Sequence, residues 1–279
     1  MMVNLVDTLF ALIPEIKKHH RPSDRIYQNI DQYFNSYFQS LNQESIGLGE
    51  VEICWPRVSI GNIDSFNYFN LGQMILYKFY EINRSRYKTS VDLGANIGID
   101  SVVMASLGYD VVAVEPDPVC VDIFKKIIKK NGLKNLQVIQ KAVSNSRGLA
   151  NFVRVKGNTA ANHLAGKRTY YGEADFFPVE TILFEDLSVK PDLMKINVEG
   201  SEKDIVPLIS TQIWSSCDTF IELHSMEDRE AIFDFFQQNG SNIFSQKINW
   251  QKANSVEQLP LNYKEGYIFV SAKTKMPWS

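Results

Sequence analysis

A chain of 279 residues has room for one large α/β domain with an extension, and 44% hydrophobic with 22% charged residues is ordinary globular composition. Lys and Arg total 29 against 32 Asp and Glu, a formal net charge of -3. That balance leaves no footprint for a long phosphate backbone and argues against nucleic acid as a partner. Cys54, Cys120 and Cys217 lie far apart without a CxxC pair, which speaks against a zinc site and for reduced thiols in the cytoplasm.

The first apolar stretch is only about ten residues long, contains Asp7, and runs into Lys17, Lys18, His19 and His20. A signal peptide needs the reverse charge order and a membrane span needs ~20 apolar residues, so the segment reads as an amphipathic helix with no membrane partner. Residues 1–45 read as two helices, the second carrying Tyr27, Tyr33, Phe34, Tyr37 and Phe38 near helical spacing, as packing residues do. Residues 51–70 are short and strand-like, broken by Pro56 and Gly61, and 71–80 is helical again. We divide the chain into a mainly helical extension or cap over 1–88 and a main domain over 89–279.

From Ser90 the pattern alternates. Strands are expected at 90–95, 110–116, 136–143, 193–199 and 218–224, with late strands at 242–248 and 267–272. Helices are expected through Leu107, over 119–130 ending at Asn131-Gly132, and over 228–238 ending at Asn239-Gly240. Such alternation predicts an α/β fold, a mostly parallel, doubly wound sheet with helices on both faces. Lys125, Lys126, Lys129 and Lys130 sit on one of those helices and read as a solvated face. The polar region 154–177 reads as a long substrate loop.

The segment VDLGANIGIDS, residues 91–101, leaves a strand and opens a helix, the context of a cofactor loop. Gly94 and Gly98 would let the backbone turn tightly and approach a ligand with no Cβ in the way. Asp92 stands at the strand end, where a dinucleotide enzyme needs bare amides for a pyrophosphate, and Asn96 breaks the G-x-G-x-x-G pattern. A carboxylate there suits a ligand with an ammonium and a sulfonium. Glu115 closes the second strand, 21 residues after Gly94, a spacing at which a carboxylate reaches ribose hydroxyls. A helix-capping role for Glu115 stays open on sequence.

In order, the blocks VDLGANIG, AVEPDP, QKAVSNSRG, PVETI, DLMKINVEGSE and IELH resemble the FkbM family of S-adenosylmethionine-dependent methyltransferases over roughly residues 90–224. The resemblance implies a Rossmann-like class I methyltransferase fold. It also implies methylation, mostly of hydroxyl groups, on small-molecule acceptors such as sugars, nucleotide sugars or secondary metabolites. It would place Asp92, Gly94, Asn96, Gly98, Glu115 and Asn197 around S-adenosyl-L-methionine, with Lys141 and Ala142 near adenine. Where the family usually reads D-x-E-G, this chain has Asn197-Val198-Glu199-Gly200, which loses a negative charge. An amine or RNA acceptor and a non-catalytic nucleoside-binding scaffold are the competing readings. Residues 1–88 lie outside the resemblance, and acceptor choice or homo-oligomer formation would be set there.

Methyl transfer to a hydroxyl needs a positioned base. Lys195, Asn197 and Glu199 alternate along the fourth strand and Glu222 and His224 along the fifth, near the carboxyl ends where open α/β sheets bind ligands. His224, positioned by Glu222 or Glu199, is the candidate general base, these three form the candidate catalytic set, and His163 is the second candidate base. A strand-end hydrogen bond for His224 and an N-cap role for Glu199 are the structural alternatives. Lys195 reads as the partner of a buried carboxylate such as Asp92. No metal is expected, because Asn197 removes the carboxylate that would complete an oxygen-rich set.

Overall fold

The computed structural model describes residues 5–60, 63–158, 161–170 and 172–278. Gly61, expected to break the early strands, lies outside them, as do Thr159, Ala160 and Tyr171 of the expected substrate loop. Among the described residues no helix is long and apolar enough to cross a membrane.

The chain begins with α1 (Leu5–Leu12) and α2 (Arg25–Ser40), then two short hairpins, β1 (Ser45–Leu48) with β2 (Val51–Cys54) and β3 (Ser59–Ile60) with β4 (Ile63–Asp64), then α3 (Leu71–Ile82). The Rossmann-like unit follows: β5 (Thr89–Leu93), α4 (Ile99–Ser106), β6 (Asp110–Val114), α5 (Pro118–Asn131) and β7 (Leu136–Ile139). Next come β8 (Ala142–Val143), β9 (Gly148–Val155), β10 (His163–Leu164) and β11 (Ala174–Ile182). The chain then returns through β12 (Leu193–Ile196), α6 (Glu202–Ile205), α7 (Thr211–Trp214), β13 (Asp218–Ile221) and α8 (Met226–Gln238). It ends with β14 (Asn242–Ser245), β15 (Gln251–Lys252) and β16 (Ile268–Ser271).

The central sheet has eight strands in the order β15-β14-β16-β13-β12-β5-β6-β7. Strands β5, β6, β7, β12 and β13 are mutually parallel, while β16 runs antiparallel between β13 and β14. The winding reverses between β5 and β12, which makes the carboxyl ends there the switch point where such sheets bind ligands. Every residue of β12, β13, β14 and β16 is buried, as a sheet covered on both faces requires. Phe220 and Phe269 turn to one core, while Ile221, Ile268 and Val270 turn to the other.

The extension shares the first of these cores. Phe79 of α3 packs edge-on against Phe220 at 4.9 Å, and lies 5.3 Å from both Phe269 and Trp278. Tyr27, Phe34 and Phe38 of α2 are buried in the same cluster, with Tyr33 and Tyr37 partly buried beside it.

Four expected segments differ from the chain's path. Residues 136–143 are not one strand: the ladder of the large sheet stops at Ile139, the Lys141 N–H turns back to the Ile139 carbonyl at 3.0 Å, and β8 pairs with β11 instead. Periodicity cannot show a chain changing sheets. The fourth strand ends at Ile196, because Glu199 and Gly200 take φ of 54° and 96°, and the fifth ends at Ile221. The polar region 154–177 is not one unbroken loop: its ends and β10 within it belong to an antiparallel arm, with Val155 opposite Ala174 and His163 opposite Val153, and turns join these strands. Its polarity comes from cross-strand ion pairs of Lys156 with Glu173 and Asp175, each 3.4 Å, which suit an exposed edge.

Candidate active site

A cleft, mixed polar and apolar in its lining, opens over the carboxyl ends of β6, β5 and β12, the place where open α/β sheets bind ligands. Its two ends differ. At the β6 end lie Glu115 and Pro116, with Lys141 of the turn before β8 and Ala142, Phe152 and Leu164 from the small sheet. At the β12 end lie Lys195 and Asn197, joined by Asp100 of α4 and by Tyr68 and Gln73 of the extension.

The loop from β5 to α4 forms the floor. Gly94 and Gly98 have φ of 78° and 89°, the tight turn expected of them, and their bare Cα atoms also serve packing inside the protein. A Cβ on Gly94 would stand 1.7 Å from the Asn197 carbonyl oxygen, and one on Gly98 2.0 Å from the Phe124 ring. These glycines let the loop close against the exit of β12 and against α5, so the protein itself, before any ligand, forbids a side chain. Asn96, at φ 52°, is the amide residue that tolerates this left-handed turn, and its Oδ1 accepts from the Ile97 N–H.

Glu115 is buried and accepts from the backbone N–H groups of Asn96 and Asp117, both at 2.8 Å. Burial pushes its carboxyl up to about 7. The cap of α5 is Asp117, whose Oδ1 accepts from the Val119 N–H, so Glu115 is left facing the cleft. Asp117 also ties down the small sheet: Arg154 grips it through two donors at 2.7 and 2.5 Å, and Asn162 Nδ2 donates to it at 3.0 Å. Asn162 Oδ1 accepts from the Val155 N–H. The arm is thereby held over the β6 end. His163 does not line the cleft; its ring packs 5.9 Å from Tyr170, and Asn158 is exposed.

Beneath the β12 end lies a buried charge cluster. Asp92 is fully buried, accepting from Ser101 Oγ at 2.6 Å and facing Lys195 Nζ at 3.5 Å. It sits under the cleft and does not line it. Lys195 is equally 3.5 Å from Asp100, which also accepts from the Tyr80 hydroxyl at 3.0 Å. Burial opposes the Lys195 charge, yet Asp92, Asp100 and Glu222 together outweigh it and hold the ammonium well above its ordinary range. Burial raises the carboxyls of Asp100 and Glu222. Three carboxylates thus face one ammonium, an excess that favours a cationic guest.

Asn197 joins the remaining candidates. Its Nδ2 donates to Glu222 at 3.1 Å, and its Oδ1 lies 2.9 Å from His224 Nε2. The contact with His224 fixes Nε2 as the protonated nitrogen, because Nδ2 already identifies Oδ1 as the acceptor. His224 is buried, and burial, with Arg168 and Lys195 adding to it, lowers its imidazole to about 3. The residue lies behind Asn197 and does not line the cleft. Glu199 does line it, with its carboxylate against Arg168. The turn after β12 is held by Glu202, which accepts from the N–H groups of Val198 and Gly200 at 2.8 and 2.9 Å, so Glu199 has no capping duty. Glu199, Glu222 and His224 bring one ligating atom each within 4.8 Å of one another.

The structure thus brings Gly94, Asn96, Gly98, Glu115, Lys141, Ala142, Asn197 and Glu199 to the cleft, and keeps Asp92, Glu222 and His224 one layer behind it. Asp100 and Gln73 were missed. Asp100 stands inside the quoted 91–101 segment and could have been found as its second carboxylate; nothing local marks Gln73, which only tertiary packing delivers.

A rRNA methylase from Streptococcus thermophilus is 12% identical over 70% of this chain and 90% of its own, with a TM-score of 0.37. A precorrin-6y methyltransferase from Geobacter metallireducens is 12% identical over 71% and 87%, with a TM-score of 0.41. No curated protein matches in sequence. The model of the FkbM methyltransferase domain matches residues 92–257, more than half of the chain. With the strand order described above, that match makes this chain a member of the FkbM methyltransferase family on a Rossmann-like class I fold.

Proposed function

We propose that the protein transfers a methyl group from S-adenosylmethionine to a hydroxyl on a small acceptor, a sugar, nucleotide sugar or metabolite. The observation that carries the reading is the polarity of the cleft: one carboxylate lining it, Glu115, at one end and an excess of carboxylate at the other. A ligand with a ribose diol at one end and cationic groups at the other matches both. A dinucleotide does not, because its phosphates would meet Asp100 in the first turn of α4. Three unpaired thiols fit a reducing, cytoplasmic setting.

When bound, S-adenosylmethionine supplies an electrophilic methyl group. The residues then have separable duties. Glu115 accepts the ribose hydroxyls, and Ala142, Phe152 and Leu164 give the base an apolar shelf. Glu199, the carboxylate that reaches the cleft beside Asn197, takes the acceptor's proton. His224 and Glu222 act through Asn197, holding its amide in one orientation, so they are positioning residues in this reading. The small-sheet arm and the extension bound the open side, where the acceptor enters.

Calorimetry with S-adenosylmethionine, S-adenosylhomocysteine and NAD, followed by donor turnover across hydroxylated sugars, nucleotide sugars and metabolites, tests this. The expected result is binding of the first two, none of NAD, and turnover with a hydroxyl acceptor. Tight NAD binding without donor binding would end the reading.

A further inference from the structure

We propose that Gln73 of the extension and Asp100 of α4 form the seat of the donor's ammonium group, the position the sequence suggested for Asp92. The inference rests on the donor assignment above and goes beyond it by naming residues of this chain outside the expected cofactor set.

Two independent observations point to a ligand. The first is Gln73. It lines the cleft at the β12 end, and its Oε1 is buried without a hydrogen-bond partner. Gln73 Nε2 donates to the Tyr267 hydroxyl at 2.8 Å, whose oxygen accepts. The amide therefore turns its nitrogen to Tyr267 and leaves its carbonyl unpaired. A buried carbonyl in that state is costly unless a ligand supplies a donor. The second is Asp100. It lines the same end, whereas Asp92 is sealed beneath by Ser101 and Lys195. Asp100 carries the surplus charge of the cluster to the cleft surface, since one Lys195 serves three carboxylates.

A neutral acceptor beside an excess of anionic charge selects a cationic N–H donor. The ammonium is the group of S-adenosylmethionine with that chemistry, and the β12 end is opposite Glu115. Gln73 and Tyr80, the latter bonded to Asp100 at 3.0 Å, both come from α3, so the extension would complete the cofactor site.

The test compares S-adenosylhomocysteine, its analogue lacking the α-amino group, and 5′-methylthioadenosine by calorimetry on the full chain, for wild type, Gln73→Leu and Asp100→Asn. Each charge-assisted contact accounts for roughly 10- to 100-fold in affinity. The proposal expects each variant to lose about that much S-adenosylhomocysteine affinity while 5′-methylthioadenosine binds within about twofold of wild type, so that the preference for the amine collapses. Retained preference for the amine in both variants overturns it. So does equal loss of all three ligands, which would mark a structural role. Unchanged ligand affinities with a raised acceptor KM would also overturn it, handing Gln73 to the acceptor. A wild type that binds none of the three ligands would instead sink the donor assignment, and the seat with it.

Discussion

Replacing Glu115 by Gln separates what this carboxylate costs the fold from what it gives the ligand. Its carboxyl moves from 4.5 to about 7 on burial, a difference equivalent to about 3 kcal/mol. Because the folded chain holds this proton more tightly than the unfolded one, no penalty applies below 4.5. Stability is then lost as pH rises from 4.5 through about 7. Gln never ionises, but it cannot accept at both ends, so one of the N–H groups of Asn96 and Asp117 loses its partner at a cost of ~1–3 kcal/mol. The variant should therefore be the less stable protein at pH 4.5, and its stability relative to wild type should climb by about 3 kcal/mol by pH 8.5. Urea unfolding at a series of pH values measures this, and titrations common to both proteins cancel in the difference. In calorimetry the variant should lose roughly 10- to 100-fold in affinity for S-adenosylhomocysteine. A stability difference that does not change with pH would refute the buried titration, and unchanged affinity would refute the ribose contact.

Glu199→Gln should cut turnover by ~10²–10⁴-fold with donor affinity intact; full activity would remove it as the proton acceptor. The turnover profile should show no inflection near the ordinary imidazole value of 6.5, because burial lowers His224 to about 3; an inflection that vanishes in His224→Ala would restore the histidine as base. Chelators should leave turnover unchanged, since Glu199 is paired with Arg168 and Asn197 engages both Glu222 and His224. Activity lost to chelator and regained with Mg²⁺ or Mn²⁺ would make those three side chains ligands. Lys195→Met strips the cation from three buried carboxylates and should destabilise the fold by ~3–5 kcal/mol, more at pH 8 than at pH 5, as read by urea midpoints; a mild, pH-independent effect would mean the cluster is already neutral.

The strand and helix order was legible because it rests on local signals. Asp117-Pro118 and Asn131-Gly132 bracket α5 with a side-chain cap and a left-handed glycine, and apolar runs mark strands buried on both faces. Glu115 was legible too, through its distance from Gly94. What failed was depth. Asp92 and Asn197 each stand at the carboxyl end of a strand in two of the ordered blocks, yet one lies under the cleft and the other in it, because adjacent layers at a strand end look alike in sequence. His224 drew attention as a rare residue type, and rarity carries no information about which side of Asn197 its ring occupies. The arm over 148–182 was hidden by its composition, since exposed strands joined by ion pairs read as polar loop.

The sharing of one core by α3 and the sheet bears on how the protein can be re-engineered. A segment that supplies cleft residues is normally a convenient part to exchange between relatives. Here Phe79 is clasped by Phe220, Phe269 and Trp278, so a transplanted α3 would arrive with aromatic faces cut for a different socket. Retargeting the enzyme is therefore better begun on the exposed arm, which is attached through Arg154 and Asn162 on Asp117, Arg168 on Glu199 and Lys167 on Asp204. Those side chains could be kept while the exposed strand positions between them are rewritten, leaving the aromatic socket beneath untouched.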